Sequence, residues 1–414
     1  MDANNECRWF LRPGVWFCCA IALGAFIRFY LVVFTAGTRD VEIWEQHARD
    51  VQTSGLIGYY HGDPFANHPP FISQDESVLL RISDASGIPF RILLRAPFAL
   101  VDLGTTFLLL LLLGKSHWRF VAAAAYWLNP LSIIFSAYHG NTDSAIAFFL
   151  LLCIWLLSKE KLLGAAVALG VSLWIKLPGL LAIPALLFFI SNWRKRLLFL
   201  FIAGLTALST YLPALIQDAK IVYANVFGYR GLYIYTPGGV PVWGPIRVLV
   251  FSIIAPPGQW SEQSRGVFLF LWQQAWHITL ALLLLLTWLR RSQPTANAVC
   301  ATIGMLYTIV YGFSESFAFQ YFAWVLPFWL FLNPWFCVAA VILASGYVYS
   351  LYWFLCGNPW LLGKWDFAGH AYWPPVVIGF RNLAMLFFFI SGCVFLVSAI
   401  WRELAPRPKP KRAL

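Results

Sequence analysis

An all-α protein built into a membrane, with about twelve crossings, is the fold class this sequence predicts. Three observations predict it. Hydrophobic residues fill 60% of the 414 positions and charged residues only 11%, where a soluble domain carries about a quarter charged. Apolar runs recur from end to end, each near the roughly 20 residues a helix needs to cross a hydrocarbon core about 30 Å thick. The 29 Lys and Arg residues, set against 18 Asp and Glu, collect in short connections and a tail. That is the distribution of an orientation signal and not of a nucleic-acid footprint, so nucleic acid is set aside as a partner and membrane lipid takes its place.

In chain order the apolar spans are 14–36, 91–113, 118–138, 143–158, 162–176, 178–191, 197–215, 266–289, 296–313, 319–333, 335–356 and 381–401. The first has a basic flank but no small-residue cleavage site, and its apolar part is too long for a signal peptide, so it is expected to be retained. Spans 162–176 and 178–191 are short and broken at "WIKLPG", the pattern of half-helices. Arg8 and Arg12, Lys115 and Arg119, Lys159 and Lys161, the run Arg194 to Arg196, and Arg290 and Arg291 stand at alternate span ends, which puts both termini in the cytoplasm. Residues 1–402 are therefore expected to form one polytopic membrane domain, and 403–414 a basic cytoplasmic tail. Six of the eight cysteines, Cys18, Cys19, Cys153, Cys300, Cys337 and Cys393, lie in apolar runs without a CxxC pair and read as small buried hydrophobes.

With that orientation, the long connections 37–90, 216–265 and 357–380 all lie on the non-cytoplasmic side. They mix Pro, Gly, Trp, Tyr and charge, as in "IYTPGGVPVWGP", which is the composition of a folded working surface. The expected location is the plasma (inner) membrane with the active site on its outer face, or the endoplasmic reticulum in a eukaryotic cell.

The first outer segment, "FTAGTRDVEIWEQHARDV", places acids directly after a membrane-length run. Val41, Trp44, Ala48 and Val51 recur at helical spacing, with Glu42, Glu45, Gln46 and Arg49 on other faces, so an amphipathic helix at the outer interface is expected. Asp40 opens it. Capping alone accounts for an Asp at this position, although Ile43 does not complete a capping box.

The order of motifs resembles that of GT-C glycosyltransferases, multi-helix enzymes that take sugars from polyprenyl-phosphate donors. The matching blocks are "TRDVEIW", "YYHGDPFANHPPF", "LNPLSIIFSAYHGNTDSAIAFFLL", "WIKLPGLLAIP" and "SESFAFQYFAWVLPFW", spread over most of the chain. The last resembles a segment of the catalytic subunit of glycosylphosphatidylinositol mannosyltransferase I and of related polyprenol-phosphate mannosyltransferases. The family often shows a second acid close to the first Asp, and the nearest acids here are Glu42 and Glu45.

The resemblance implies a GT-C-like fold, a polyprenyl-phosphate sugar donor and a lipid, glycan or protein acceptor. Inverting transfer needs one carboxylate to take the acceptor proton, and Asp40 is the candidate base. The leaving phosphate needs cations, for which Lys176, Arg230 and Arg247 stand on the outer side. Lys176 sits between apolar "SLWI" and "LPG", where a charge must face a cavity, find a partner or snorkel. His68, His139, Asp143, Gln320 and Tyr321 are the candidate substrate contacts, with helix capping and interfacial anchoring as their bland readings. Arg95 and Asp102, seven residues apart on one helix face, could share a polar groove or serve structure alone, and structure is preferred. The irregular spacing of His61, Asp63, His68, Asp75 and Glu76 argues weakly for a divalent metal, so no cofactor is expected. A transporter or lipid flippase is the competing class, and it would concentrate polar groups near mid-membrane instead of crowding them on one face.

Overall fold

The computed structural model describes residues 13–64, 66–114, 118–228, 243–245, 261–292, 295–315, 318–365 and 372–404. Among them every regular element is helical. Helix α1 (Pro13–Phe34) is followed by α2 (Arg39–Gly62), α3 (Pro70–Ser86) and α4 (Phe90–Leu112). Next come α5 (Trp118–Trp127) and α6 (Pro130–His139), bent 43° from each other. The chain continues through α7 (Asp143–Ser158), α8 (Leu162–Ile175), α9 (Leu177–Phe189) and α10 (Trp193–Phe227). Helices α11 (Glu262–Leu289), α12 (Ala296–Phe313), α13 (Pro334–Cys356) and α14 (Pro375–Leu404) complete the bundle.

Local chemistry sets the boundaries that matter for function. The side chain of Asn129 accepts the Leu131 N–H at 2.9 Å just before Pro130, which starts α6 as an Asn cap with proline in the first turn should. That helix ends in a π-helical turn, Ile134–His139, closed by Gly140 at φ 73°. The break at "WIKLPG" is real: α8 stops at Ile175, Lys176 is extended at φ −167° and ψ 151°, and a 3-10 turn over Leu177–Ala182 opens α9. A half-helix on each side of an extended lysine frees that side chain from a helical surface.

Among the described residues six helices are long and apolar enough to cross a membrane, namely α1, α4, α10, α12, α13 and α14, or seven if the bent pair α5 and α6 counts as one span. Four further apolar helices, α7, α8, α9 and the Gln273–Leu289 part of α11, have 10–17 residues. At 1.5 Å per residue they fall short of a ~30 Å core. The expected span 319–333 is corrected by the structure. It folds as a 3-10 turn, Phe319–Trp324, and a single helical turn, Leu326–Trp329, with Phe322, Phe328 and Trp329 wholly buried. Its apolar residues serve the protein interior instead of lipid. Cys18 and Cys19 likewise face outward on α1, unlike the buried Cys153 and Cys300.

Helix α2 buries Val41, Trp44 and Ala48 against Leu80, Phe90 and Leu94 of α3 and α4, so the periodicity read from the sequence does mark a packed face. A left-handed Gly55 (φ 74°) kinks it further along.

A buried polar network ties the membrane helices together. Arg28 pairs with Asp102 at 3.0 Å, donates to Ser132 Oγ (2.9 Å) and to the Trp127 carbonyl (2.7 Å), and stacks 3.7 Å over the Trp127 ring. The Tyr126 hydroxyl donates to the other Asp102 oxygen at 2.8 Å. Asp102 thus belongs to Arg28 and not to the Arg95 that shares its helix. Gly24 admits the indole, since a Cβ there would meet Trp127 Nε1 at 2.2 Å. Removing one charge of a buried pair strands the other, so Asp102→Ala is expected to destabilise by about 3–5 kcal/mol. The paired replacement Arg28→Met with Asp102→Leu should recover most of that, as thermal unfolding of the purified variants in detergent would measure.

Candidate active site

Asp40, His139, Asp143 and Lys176 stand where several helix ends meet: the C-termini of α1, α6, α8 and α12, the N-termini of α4 and α7, and the last turns of α13. Asp40 is the second residue of α2, beyond the corner that follows α1. Its Oδ2 accepts from His139 Nε2 at 2.8 Å, and His139 Nδ1 meets the hydroxyl of Tyr352 on α13. His139 and Tyr352 are buried, at 2% and 0% exposure, whereas the Asp40 side chain keeps 41% of its surface accessible. The carboxylate is therefore held by buried groups on one side and stays accessible on the other. Surrounding protein pushes its pKa up, and the hydrogen-bonded His139, with Lys176 beyond it, pulls harder in the other direction. The net position is below the usual carboxylate value, so Asp40 is ionised at neutral pH.

A second constellation centres on Lys176. Its ammonium donates to both oxygens of Asp143, at 3.0 and 3.1 Å. Asp143 also accepts from the Trp324 indole at 2.5 Å and is 0% exposed. Lys176 retains 17% side-chain exposure and lies 5.2 Å from the ring centre of Tyr321, which stacks on Trp324 at 4.1 Å. An acid in the wall holds the lysine, and one side of the ammonium stays open.

A comparison with protein families meets this geometry at its centre, because residues 136–235 match the model described as Mannosyltransferase (PIG-M). The chain is a glycosyltransferase. The match supports a mannosyltransferase of GT-C type that resembles glycosylphosphatidylinositol mannosyltransferase I. No curated protein matches it. The matched segment carries His139, Asp143 and Lys176. As a mannosyltransferase of apolar helices it is an integral, multi-pass membrane protein, and its activity entails a sugar donor and an acceptor.

The remaining sequence candidates of the glycosyltransferase divide. His68 packs edge-on against Trp44 at 4.9 Å, while its carbonyl accepts from the Tyr60 hydroxyl at 2.7 Å. Burial, with Lys176 nearby, pushes its imidazole down to about 3, so it is neutral, and its Nδ1 has no hydrogen-bond partner. Gln320 adjoins Tyr321 with its carbonyl oxygen buried and unpartnered. Arg230 and Arg247 lie outside the described residues, as do most of the expected outer loop 216–265 and the tail from 405 on. Of the residues weighed for a metal, His61 pairs with Asp218 at 3.0 Å and Asp63 with His47 at 3.4 Å. Among the described residues no three His, Cys, Asp or Glu side chains gather closely enough to hold an ion. Glu76, on α3, is buried with neither carboxyl oxygen hydrogen-bonded, and burial raises it well above the ordinary range. Glu42 is exposed and Glu45 pairs with Arg49 at 2.6 Å.

Sequence reasoning about the mannosyltransferase missed Tyr352, Trp324 and Arg28. Tyr352 and Trp324 sit in aromatic-rich runs where nothing local marks a polar role. Arg28 had a legible signal: it is a charge inside an apolar span, which asks for a partner.

Proposed function

We propose that this glycosyltransferase moves a mannosyl residue from a polyprenyl-phosphate donor to a hydroxyl of a lipid, glycan or protein acceptor on the non-cytoplasmic face, with Asp40 as general base. The observation that carries the reading is an acid and a cation held close to each other, each by a buried partner. An accessible carboxylate is oriented by a buried imidazole, and near it an ammonium is held by a buried acid with one side open.

In this mechanism the acceptor oxygen attacks the anomeric carbon and its proton passes to Asp40. The bond from that carbon to the phosphate oxygen breaks, and the departing polyprenyl phosphate gains the negative charge that Lys176 stabilises. Attack opposite the leaving group inverts the anomeric centre. His139 does not touch substrate in this scheme; it fixes the Asp40 carboxylate so that Oδ1 is left for the incoming proton. Asp143 plays the corresponding part for Lys176. His68, Gln320 and Tyr321 face the sugar, the last through its ring, and Arg230 and Arg247 remain donor-phosphate candidates by position in the sequence. Lys176 fills the cationic role that a metal plays in other transferases, so the reaction is taken to need none.

The placement on the outer face follows from charge. The basic clusters at Lys159 and Lys161, Arg194 to Arg196 and Arg290 and Arg291 flank the ends of α7, α10 and α11 that lie away from the site, and positive clusters mark the cytoplasmic side. Helices α2 and α3, outside the six candidate spans, would then lie along the outer interface, where a lipid donor presents its headgroup.

Incubating purified enzyme with a panel of polyprenyl-phosphate sugars and identifying products by mass spectrometry tests this. Transfer from the polyprenyl-phosphate mannose, undiminished by a chelator, is the expected result. Consumption only of a soluble nucleotide sugar, or complete loss of activity with chelator, would overturn the donor or the metal-free assignment respectively.

A further inference from the structure

Arg95, on the first turns of α4, is 0% exposed and has no carboxylate among its hydrogen-bond acceptors. A buried guanidinium is costly unless its donors are satisfied, and this one is saturated. Its Nε donates to the Arg91 carbonyl at 2.9 Å. Nη1 donates to Thr35 Oγ1 at 3.0 Å and to the Tyr138 carbonyl at 3.3 Å, and Nη2 to the carbonyls of Val32 at 2.9 Å and Thr35 at 2.7 Å. All five N–H groups of the side chain are used.

The acceptors have a common nature. Val32 and Thr35 lie at the C-terminus of α1 and Tyr138 at the C-terminus of α6, where backbone carbonyls lack helical partners and the helix dipole is negative. One cation thus staples two helix ends. The chain is shaped around it: Gly37 (φ +85°) would place a Cβ 3.0 Å from Arg95 Nη1, and Gly140 (φ +73°) would place one 2.5 Å from its Cγ. Gly37 precedes Asp40 by a single turn of chain, and Gly140 directly follows His139.

We infer that Arg95 is a positioning residue, which locks the corner between α1 and α2 onto the end of α6 and so sets the 2.8 Å contact between Asp40 and His139. The inference rests on the reading of Asp40 as the base. Lysine cannot replace the arginine, because three donors on a compact ammonium do not span two helix ends.

The test is steady-state kinetics on Arg95→Lys and, as the milder variant should Arg95→Lys fail to fold, Thr35→Val, which removes one acceptor and keeps the shape. Kinetics are normalised to folded enzyme, and each substitution is repeated in an Asp40→Asn background. A sub-ångström to ångström misplacement of a reacting group costs up to about a hundredfold, so Arg95→Lys should lower kcat about tenfold to a hundredfold, and Thr35→Val a few-fold. Donor KM should stay within about twofold of the parent. In the Asp40→Asn background neither change should lower the residual rate further, since the group being positioned is already gone. An unchanged kcat per folded molecule, or a loss of the same size with Asp40 already replaced, would make Arg95 a structural anchor and overturn the inference. Full activity of Asp40→Asn alone would remove the base assignment, and that outcome is read from a different protein than the Arg95 result.

Discussion

Asp40→Asn should lower turnover by about a hundredfold to ten-thousandfold while the enzyme stays folded and binds donor nearly as before. Three features make this substitution clean. Asp40 lies inside the first turn of α2, where Thr38 and not Asp40 takes the cap position, so the start of the helix does not depend on its carboxylate. Its amide oxygen can still accept from His139 Nε2 at the present 2.8 Å, which preserves the local geometry. An amide cannot take the acceptor proton, so the lost function is chemical and not architectural. Because the carboxylate lies below its usual pKa, the wild-type rate should not fall through loss of this base until the pH drops below the ordinary carboxylate range. Turnover by folded Asp40→Asn within a few-fold of wild type would reduce Asp40 to a structural partner of His139 and direct attention to the exposed Glu42.

Replacing Lys176 by Gln together with Asp143 by Asn should weaken donor affinity about tenfold to a hundredfold, the value of a charged hydrogen bond at about 1.5–3 kcal/mol. The two must be changed together. Lys176→Gln alone would leave the fully buried Asp143 carboxylate with the Trp324 indole as its remaining side-chain donor, and a stranded buried charge destabilises by several kcal/mol. The neutral Gln and Asn pair keeps size and hydrogen bonding, so a binding defect in that protein reports on the charge alone. Titration with a polyprenyl-phosphate mannose, followed by competition with polyprenyl phosphate, separates headgroup recognition from lipid partitioning. Donor affinity equal to wild type would leave Lys176 and Asp143 as a structural pair and shift the phosphate site to Arg230 and Arg247.

The sequence by itself determined what depends on local composition and spacing. The scarcity of charge made a membrane protein unavoidable, the recurrence of Val41, Trp44 and Ala48 marked the packed face of α2, and "WIKLPG" marked a broken helix, since proline and glycine act on their own backbone. Asp40 at the head of an amphipathic helix was likewise legible, as was an isolated Lys176 that had to find a partner. Only the tertiary structure decided the partners. His139 meets an acid 99 positions away and a tyrosine 213 positions away, Trp324 reaches Asp143 over 181 positions, and no pattern along one helix says which face of another will lie opposite. Arg95 and Asp102 show the difference most sharply. Their seven-residue spacing put them on one face, yet Asp102 went to Arg28, and Arg95 went to backbone carbonyls at two helix ends. Those carbonyls are the same in every residue, so residue identity carries no trace of them. Hydropathy likewise measures how apolar a segment is and not what covers it, which is why most of the apolar segment 319–333 forms short turns whose residues 322–329 are buried in protein.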